Sequence, residues 1–325
     1  MKKQLVAVAI ASAFAGSAFA ANVDVYGVVD TGLVYSNTSF SGDVANKDTN
    51  KFSMDSGVLA GSRFGLKGTE DLGDGYSVDF KLENGFSSDT GTLGQSGRLF
   101  GREARLSLNT PYGTVSFGRI GALTSGMGSY DIFQSTGDAL DGGNAAYIGT
   151  GYWFTRDRYD NMVTLVTPEA NGFTGYAQYS FRQDGSEKSS VRDNPRYAAL
   201  GVTKAFFGAQ YGKNEAIDFS SFVDEDGDDF GEGYFKGYNL HIGAATPLPC
   251  GTITVSAYYG DYENVDDNDV TAKKYGIGVM HEYSLSKRTT FYTGAGFAQT
   301  ELKEDGEGSA RLKGVNVTFG LNHKF

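Results

Sequence analysis

The stretch from Tyr76 to Glu83 reads Tyr-Ser-Val-Asp-Phe-Lys-Leu-Glu and alternates apolar with polar residues without interruption. In an extended strand, successive side chains point to opposite faces. Residues 76, 78, 80 and 82 therefore share an apolar face, and residues 77, 79, 81 and 83 share a polar face that carries three charges. This stretch predicts a strand with one apolar surface and one wetted surface.

The same alternation recurs in residues 64–68, 252–259 and 315–321, with tyrosine and phenylalanine on the apolar face near the strand ends. The chain contains 46 Gly, 20 Tyr and 23 Phe but 5 Pro, which indicates strands and tight turns. A secreted β-sandwich shares this composition, but its apolar face packs inward and favours large aliphatic side chains. Aromatic residues near strand ends instead favour a membrane β-barrel, with aromatic girdles at the two interfaces.

The N-terminus has the features of a secretory signal peptide. Lys2 and Lys3 make it basic, residues 5–15 are apolar, and Ala18-Phe19-Ala20 fits a cleavage site. The alternative is an uncleaved anchor, but the apolar run is short and does not continue past the cleavage site. We therefore predict a signal peptide at residues 1–20 and one transmembrane β-barrel domain at residues 21–325.

Charge and composition exclude several function classes. Losing the two lysines of the leader changes the formal net charge from -11 to -13, which disfavours nucleic acid as a partner. One cysteine excludes an internal disulfide, and three histidines leave little for a metal site. With no Gly-x-Ser-x-Gly motif and so few histidines, we expect no catalytic site, no cofactor and no metal. The mean hydropathy of -0.32 suits a barrel, because only every second residue of a strand faces lipid.

Connections between the predicted strands have two lengths. The short turns are residues 71–75, 110–113, 169–172, 204–206, 246–251 and 284–288. Long polar loops lie near residues 37–56, 120–150, 219–233, 263–271 and 302–310. Each short turn joins two strands and the terminal strands add two, so six turns predict about 14 strands; a hairpin hidden in a long loop would give about 16.

Several ordered motifs resemble those of the Gram-negative outer-membrane porins of the neisserial and burkholderial type. They are residues 25–32, 62–73, 112–119, 283–289 and the C-terminal Gly-Leu-Asn-His-Lys-Phe, and the resemblance covers the whole mature chain. It implies a homotrimer in the bacterial outer membrane, in contact with its lipid and lipopolysaccharide. Each barrel would have about 16 strands and a long third loop folded into a pore for small hydrophilic solutes and ions.

Strand parity and the resemblance together select candidate pore-constriction residues. Parity places Arg63, Lys67, Lys81 and Arg105 in the lumen, and gives Arg156 and Arg158 the parity of Thr164. The resemblance places Arg63 and Arg119 on a basic wall. Parity alone puts Arg119 on the side of Val115 and Phe117, unless Gly118 marks a bulge.

The opposing acids are expected on the third loop, where the carboxylates between residues 120 and 150 are Asp131, Asp138 and Asp141. Acid facing base across a narrow lumen produces a transverse field that orients dipolar solutes. The alternative is that these aspartates are solvated loop charges.

The functional prediction is a passive diffusion channel. An outer-membrane adhesin or receptor barrel is the alternative, because long loops also bind other proteins, and a barrel enzyme is disfavoured. Acidic loops favour cations at the mouth and the basic wall favours anions at the neck, so both signs of ion selectivity stay open.

Overall fold

The structure, a computed structural model, describes residues 22–42, 47–123, 128–132, 158–186, 196–204, 207–218, 232–304 and 308–325. These residues form one antiparallel sheet of fifteen strands, and the sheet closes because its first and last strands pair. The predicted all-β barrel is therefore confirmed. The predicted signal peptide lies outside the described residues.

The strands are β1 (Asn22–Gly42), β2 (Thr49–Ser56), β3 (Arg63–Gly73), β4 (Tyr76–Gly85), β5 (Glu103–Thr110), β6 (Gly113–Gly121), β7 (Arg158–Val166), β8 (Phe173–Ser180), β9 (Tyr197–Lys204), β10 (Phe207–Asp218), β11 (Glu232–Leu248), β12 (Gly251–Asn264), β13 (Val270–Ser284), β14 (Thr289–Glu304) and β15 (Gly308–Lys324). A 3₁₀ turn spans Gln95–Gly97. Within the part of the chain that the structure describes, no helix has the length and hydropathy needed to cross a bilayer.

The ring has fourteen strand positions, because β2 and β3 share one place beside β1. Residues 31–38 of β1 pair with β2, and residues 22–28 pair with β3, which continues to β4. Five of the six predicted short turns join consecutive strands at one end of the barrel, here called the turn end. Residues 205–206 of the sixth turn lie outside the described residues, between the paired strands β9 and β10. The count of about 14 is thus confirmed. The count of about 16 is not reached in the described residues, because β1 and β15 pair directly and close the ring.

One predicted loop is wrong in part. Residues 37–56 were expected to form a long polar loop, but most of them lie in the paired ends of β1 and β2, where Thr38 is the partner of Thr49. Beyond the membrane, neither face of a strand needs to be apolar. The strands of this polar hairpin therefore cannot be recognised from an alternation of apolar and polar residues.

The two faces of the sheet follow the predicted alternation. On β15, Val315, Val317, Phe319 and Leu321 are exposed on the outer face, whereas Asn316, Thr318 and Asn322 are buried on the inner face. Exposed aromatic residues gather at both ends of the outer face: Tyr76, Tyr112, Phe173, Tyr283, Phe291 and Phe325 near the turn end, and Tyr238, Tyr259 and Tyr275 near the opposite, loop end. Such girdles mark the two interfaces of a bilayer.

A buried carboxylate joins the first strand to the last two. Asp30 on β1 is fully buried and accepts hydrogen bonds from the Tyr292 hydroxyl of β14 at 3.0 Å and the Asn322 amide of β15 at 2.9 Å. It also accepts one from the Leu59 backbone N–H at 3.2 Å. This cluster, the seam cluster, ties the place where the barrel closes to the segment between β2 and β3.

Candidate functional site

The inner faces of β3, β4 and β5 carry three cations side by side. Lys67 on β3 is the register partner of Lys81 on β4, and Lys81 is the partner of Arg105 on β5. Neighbouring strands lie about 4.8 Å apart, so these residues, here called the basic row, stand at one height of the barrel. The basic row exists because three strands with the same inner parity happen to meet in this register.

Carboxylates lie in the adjacent rows. Glu83 and Glu103 are register partners one inner-facing position nearer the loop end, and both are buried. Lys81 donates to Glu103 at 2.9 Å and lies 3.3 Å from Glu83. Arg105 donates to Glu103 at 2.7 Å and, on the turn side, to Asp79 at 2.5 Å. Each buried charge on this inner wall has partners of opposite sign. These ion pairs offset the free-energy cost of removing the charges from water.

Glu83 gathers further groups around the predicted Arg63. Arg102 donates to Glu83 at 2.7 Å, and Arg63 lies 3.8 Å from the same carboxylate. The Tyr26 hydroxyl of β1 also donates to Glu83 at 2.7 Å. Arg63 keeps a quarter of its side chain exposed, so it is held by Glu83 but still reaches solvent in the lumen.

Arg119 lies beside an irregularity in the pairing of β6 with β7. Gly118 has φ of 135°, and the register between β6 and β7 shifts between Gly118 and Ile120. Two steps on β6 oppose three on β7, so the extra residue of this β-bulge lies on β7, where Asn161 has φ of 50°. On β6, Ser116 and Ile120 are buried and Arg119 keeps the parity of the exposed Phe117, with Ala104 of β5 as its regular register partner. Arg119 then donates to the Gly101 carbonyl at 2.8 Å and to Asp160 at 2.6 Å.

Asp160 also ties two connecting segments to the wall. Arg98, between β4 and β5, donates to Asp160 at 2.9 Å and pairs with Asp184, which follows β8. The Gly185 backbone N–H donates to Asp160 at 2.7 Å. The segments after β4 and after β8 are therefore joined over the loop end of β5–β7.

A described piece of the third loop lies against this wall, which confirms for these residues that the loop enters the barrel. Ser129 donates to Glu103 at 3.0 Å, and the Tyr130 ring lies 5.4 Å from the Arg105 guanidinium. Tyr130 also hydrogen-bonds Ser116 of β6. Ile132 donates its backbone N–H to the Leu123 carbonyl at 2.7 Å, which folds the loop back on itself.

A polar cavity of about 470 Å³ opens beside the basic row. Its charged lining consists of Asp24, Asp79 and the three cations of the basic row. Lys67 is the most accessible of these cations: its side chain is 54% exposed, 4.0 Å from the exposed carboxylate of Asp24, and 5.4 Å from the Tyr26 ring. A solute entering this cavity meets Lys67 before it meets the buried ion pairs.

The structure brings together Arg63, Lys67, Lys81 and Arg105 of the predicted residues, whereas Arg119 contacts Asp160 and the Gly101 carbonyl. Arg158 of β7 and Asp131 of the third loop are both buried. Arg156, Asp138 and Asp141 lie outside the described residues.

Sequence reasoning missed the acids Asp79, Glu83, Glu103 and Asp160 and the cations Arg98 and Arg102. The sequence does indicate an inner position for Asp79 and Glu83, because the alternation that defines β4 puts both on the polar face with Lys81.

No arrangement for a metal ion is found among the residues that the structure describes, where no three His, Cys, Asp or Glu side chains are suitably grouped. The chemistry that the inner wall offers is electrostatic: fixed charges of both signs at short range, which attract, orient and sort passing solutes.

We expect Glu103→Gln to raise the permeability of chloride relative to potassium about threefold. One unit charge at roughly 6 Å in water shifts the energies of the two ions by about 0.7 kcal/mol in opposite directions, and screening by salt roughly halves the resulting difference. The substitution keeps the side-chain shape but leaves Lys81 and Arg105 with less compensation. Reversal potentials under a salt gradient measure the change. Glu70→Gln is the matched control, because Glu70 is an exposed acid of the opposite parity on β3. An equal shift in both variants would contradict the inner placement of Glu103.

Comparisons with known proteins agree with this geometry. The family model of the Gram-negative porins matches residues 7–303. An outer membrane porin protein of Bordetella pertussis is 40% identical over 62% of this chain and 56% of its own length. Outer membrane porin protein 32 of Delftia acidovorans is 28% identical, and the major outer membrane protein P.IB of Neisseria meningitidis serogroup B is 24% identical, each over the whole of both chains.

Solved structures show the same fold. The anion-selective porin from Comamonas acidovorans has a TM-score of 0.57 at 23% identity, covering 94% of this chain and all of that one. A loop-deletion form of OmpT from Vibrio cholerae has a TM-score of 0.54 at 18% identity over the same shares. With the closed barrel, its apolar outer face and its charged inner wall, the chain belongs to the Gram-negative porin family and is a β-barrel porin of the bacterial outer membrane.

Proposed function

We propose that this protein forms a water-filled channel through which small hydrophilic solutes and ions diffuse passively. The observation that supports the proposal most strongly is the contrast between the two faces of one closed sheet. The outer face is apolar with aromatic ends, and the inner face carries the basic row and its carboxylates. Charged groups on the inside of a membrane barrel are stable where the lumen contains water.

The constriction of this channel is proposed to lie at the basic row and at Arg63, Arg119, Arg156 and Arg158. The third loop would supply the facing side through Asp131, Asp138 and Asp141. The contacts of Ser129 and Tyr130 with Glu103 and Arg105 support this, because they bring the described part of the loop to the height of the basic row. A solute passing between the loop and the wall would cross a field of fixed charges, and polar solutes would align in it.

A weak preference for anions at the neck follows from the charge balance of the wall. The ion pairs around Glu83 and Glu103 join four cations, Arg63, Lys81, Arg102 and Arg105, to three carboxylates, the third being Asp79. The network therefore carries one excess positive charge, while Lys67 and Asp24 beside it balance each other. The structurally similar Comamonas protein is an anion-selective porin, which supports the same sign here.

The functional test is single-channel recording in planar bilayers with purified, full-length mature protein. We expect insertion events in three equal conductance steps, because the protein is proposed to act as a homotrimer with one pore in each subunit. Unheated protein should migrate as a trimer on denaturing gels and as a monomer after boiling. Folded, inserted protein without conductance would overturn the channel, and single steps from a heat-insensitive monomer would overturn the trimer.

A further inference from the structure

Gly201 on β9 lies on the inner face of the barrel, at the place where the third loop passes over this strand. Ala199 is buried on the same face, whereas Leu200 and Val202 are exposed on the outer face. The φ of Gly201 is not positive, so the strand does not need glycine for its backbone conformation. A glycine inside a regular strand also marks places where another part of the chain approaches closely. What Gly201 contributes is therefore the absence of a side chain.

The third loop fills the space that a side chain at position 201 would occupy. A Cβ atom on Gly201 would lie 2.9 Å from Cδ1 of Leu123 and 3.4 Å from Cδ1 of Ile132. Carbon atoms pack best at about 3.5–4.0 Å, so these two side chains would have to move. Leu123 is fully buried and Ile132 is 4% exposed, which leaves neither of them free space to turn into. These three residues are here called the loop seat.

The described piece of the loop above the loop seat is held together by short contacts. The Ile132 backbone N–H donates to the Leu123 carbonyl at 2.7 Å. The Gln178 amide of β8 donates to the carbonyl of Gly121, the last residue of β6, at 3.0 Å. Gly128 comes so close to Gly121 that a Cβ atom on Gly128 would lie 3.2 Å from the Gly121 Cα. A push at the loop seat should therefore move this piece as one body.

The same piece also lies against the ion-pair network of the inner wall. Ser129 donates to Glu103, and the Tyr130 ring lies 5.4 Å from the Arg105 guanidinium. The piece thus follows the inner wall from Arg105 on β5 to Gly201 on β9. Its distance from the wall at the loop seat determines how much of the lumen stays open beside the basic row.

We propose that Gly201 is a positioning residue that sets the width of the pore. It lets Leu123 and Ile132 lie directly on the backbone of β9, so the third loop stays close to the wall and leaves room for solutes. A larger side chain at position 201 lifts the loop toward the barrel axis and narrows the passage. This inference rests on the proposed channel and adds the residue that fixes its width.

The test is a pair of substitutions that exchange three carbon atoms across the loop seat. Gly201→Val adds three carbons to the wall, and valine is a favourable strand residue. We expect it to lower the single-channel conductance about twofold, because the loop must rise by roughly 2 Å to restore ordinary carbon–carbon distances. Leu123→Ala removes three carbons from the facing side chain, so the double variant should conduct nearly as wild type does. Leu123→Ala alone should not narrow the pore.

The entry of sugars into liposomes separates a narrowed pore from a damaged barrel. With folded, heat-modifiable protein, Gly201→Val should slow raffinose more than arabinose, since a narrower pore hinders the larger sugar more strongly. Thr203→Leu is the matched control, because Thr203 has the same inner parity on β9 but lies two residues nearer the turn end, outside the loop seat. This control should leave the rates of both sugars near those of wild type.

Three results would overturn the loop seat. They are wild-type conductance in an assembled Gly201→Val variant, a double variant as narrow as the single one, and equal narrowing by Thr203→Leu. If Gly201→Val does not assemble, Gly201→Ala replaces it and should lower the conductance by a smaller factor; unchanged conductance would again count against the proposal. Folded wild type without conductance would defeat the channel itself, whereas conducting wild type with an unaffected Gly201→Val variant would defeat only the loop seat.

Discussion

Replacing Asp30 by alanine should destabilise the barrel more than any other single change at its inner face. The carboxylate is fully buried and accepts hydrogen bonds from Tyr292, Asn322 and the Leu59 backbone. Alanine would leave these three donors buried without an acceptor, and each such group costs about 1–3 kcal/mol. We therefore expect the free energy of unfolding to fall by about 3–6 kcal/mol, less than the full sum of these costs because alanine also removes the desolvation cost of the buried carboxylate.

The position of Asp30 makes this loss larger than its hydrogen bonds alone indicate. The seam between β1 and β15 is where the two ends of the chain meet, and an open seam exposes unpaired backbone groups to lipid. Loss of the seam cluster should therefore lower the yield of folded barrel as well as its stability.

The measurement is the urea concentration at which the folded, heat-modifiable gel band disappears. Asp24→Ala is the matched control, because Asp24 is an inner-facing aspartate on the same strand but two-thirds of its side chain is exposed. Its midpoint should stay near that of wild type. Equal midpoints for the two variants would show that the seam cluster does not hold the barrel closed.

Much of the fold follows from the sequence because a membrane strand must obey two rules at once. Each strand alternates between lipid and lumen, and each return at the turn end is short. The run from Tyr76 to Glu83 and the six turns therefore predict β4 and the fourteen positions correctly. The hairpin of β1 and β2 escaped prediction, because its residues beyond the membrane, such as Asn37 and Asn50, do not alternate apolar with polar side chains.

The charged wall was predictable only in part, for a different reason. Parity tells which face a residue takes, but it does not tell which residue lies beside it on the next strand. The pairing of Lys81 with Arg105, and of Glu83 with Glu103, depends on the path of residues 86–102, which sets the register of β5. For this reason the acids were sought on the third loop, while the structure supplies Glu83 and Glu103 from the wall itself. For Arg119, strand parity and the resemblance point to different faces, and its pairing with Ala104 of β5 follows the parity.

Arg63→Glu should give the largest change in ion selectivity, a shift of about tenfold in the permeability ratio toward cations. The substitution changes the wall by two unit charges, which at roughly 6 Å in water shift the energies of anions and cations by about 1.4 kcal/mol in opposite directions, and screening by salt leaves roughly half of the resulting difference. Arg63 is suited to this test because its side chain is a quarter exposed and lies at the edge of the ion-pair network, 3.8 Å from Glu83. Glu83 keeps Arg102 and Lys81 as partners, so the fold should survive the change.

A graded series separates an effect of charge from an effect of shape. Arg63→Gln removes one unit charge and should shift the permeability ratio by about threefold, half of the free-energy change expected for Arg63→Glu. Reversal potentials under a salt gradient, recorded at low and high ionic strength, give both values, and screening should reduce both shifts at high salt. If the glutamine and glutamate variants shift the ratio equally, ion selectivity depends on the width of the pore at Arg63 and not on the charge of this residue. If neither shifts it while the barrel assembles normally, Arg63 does not face the permeation path.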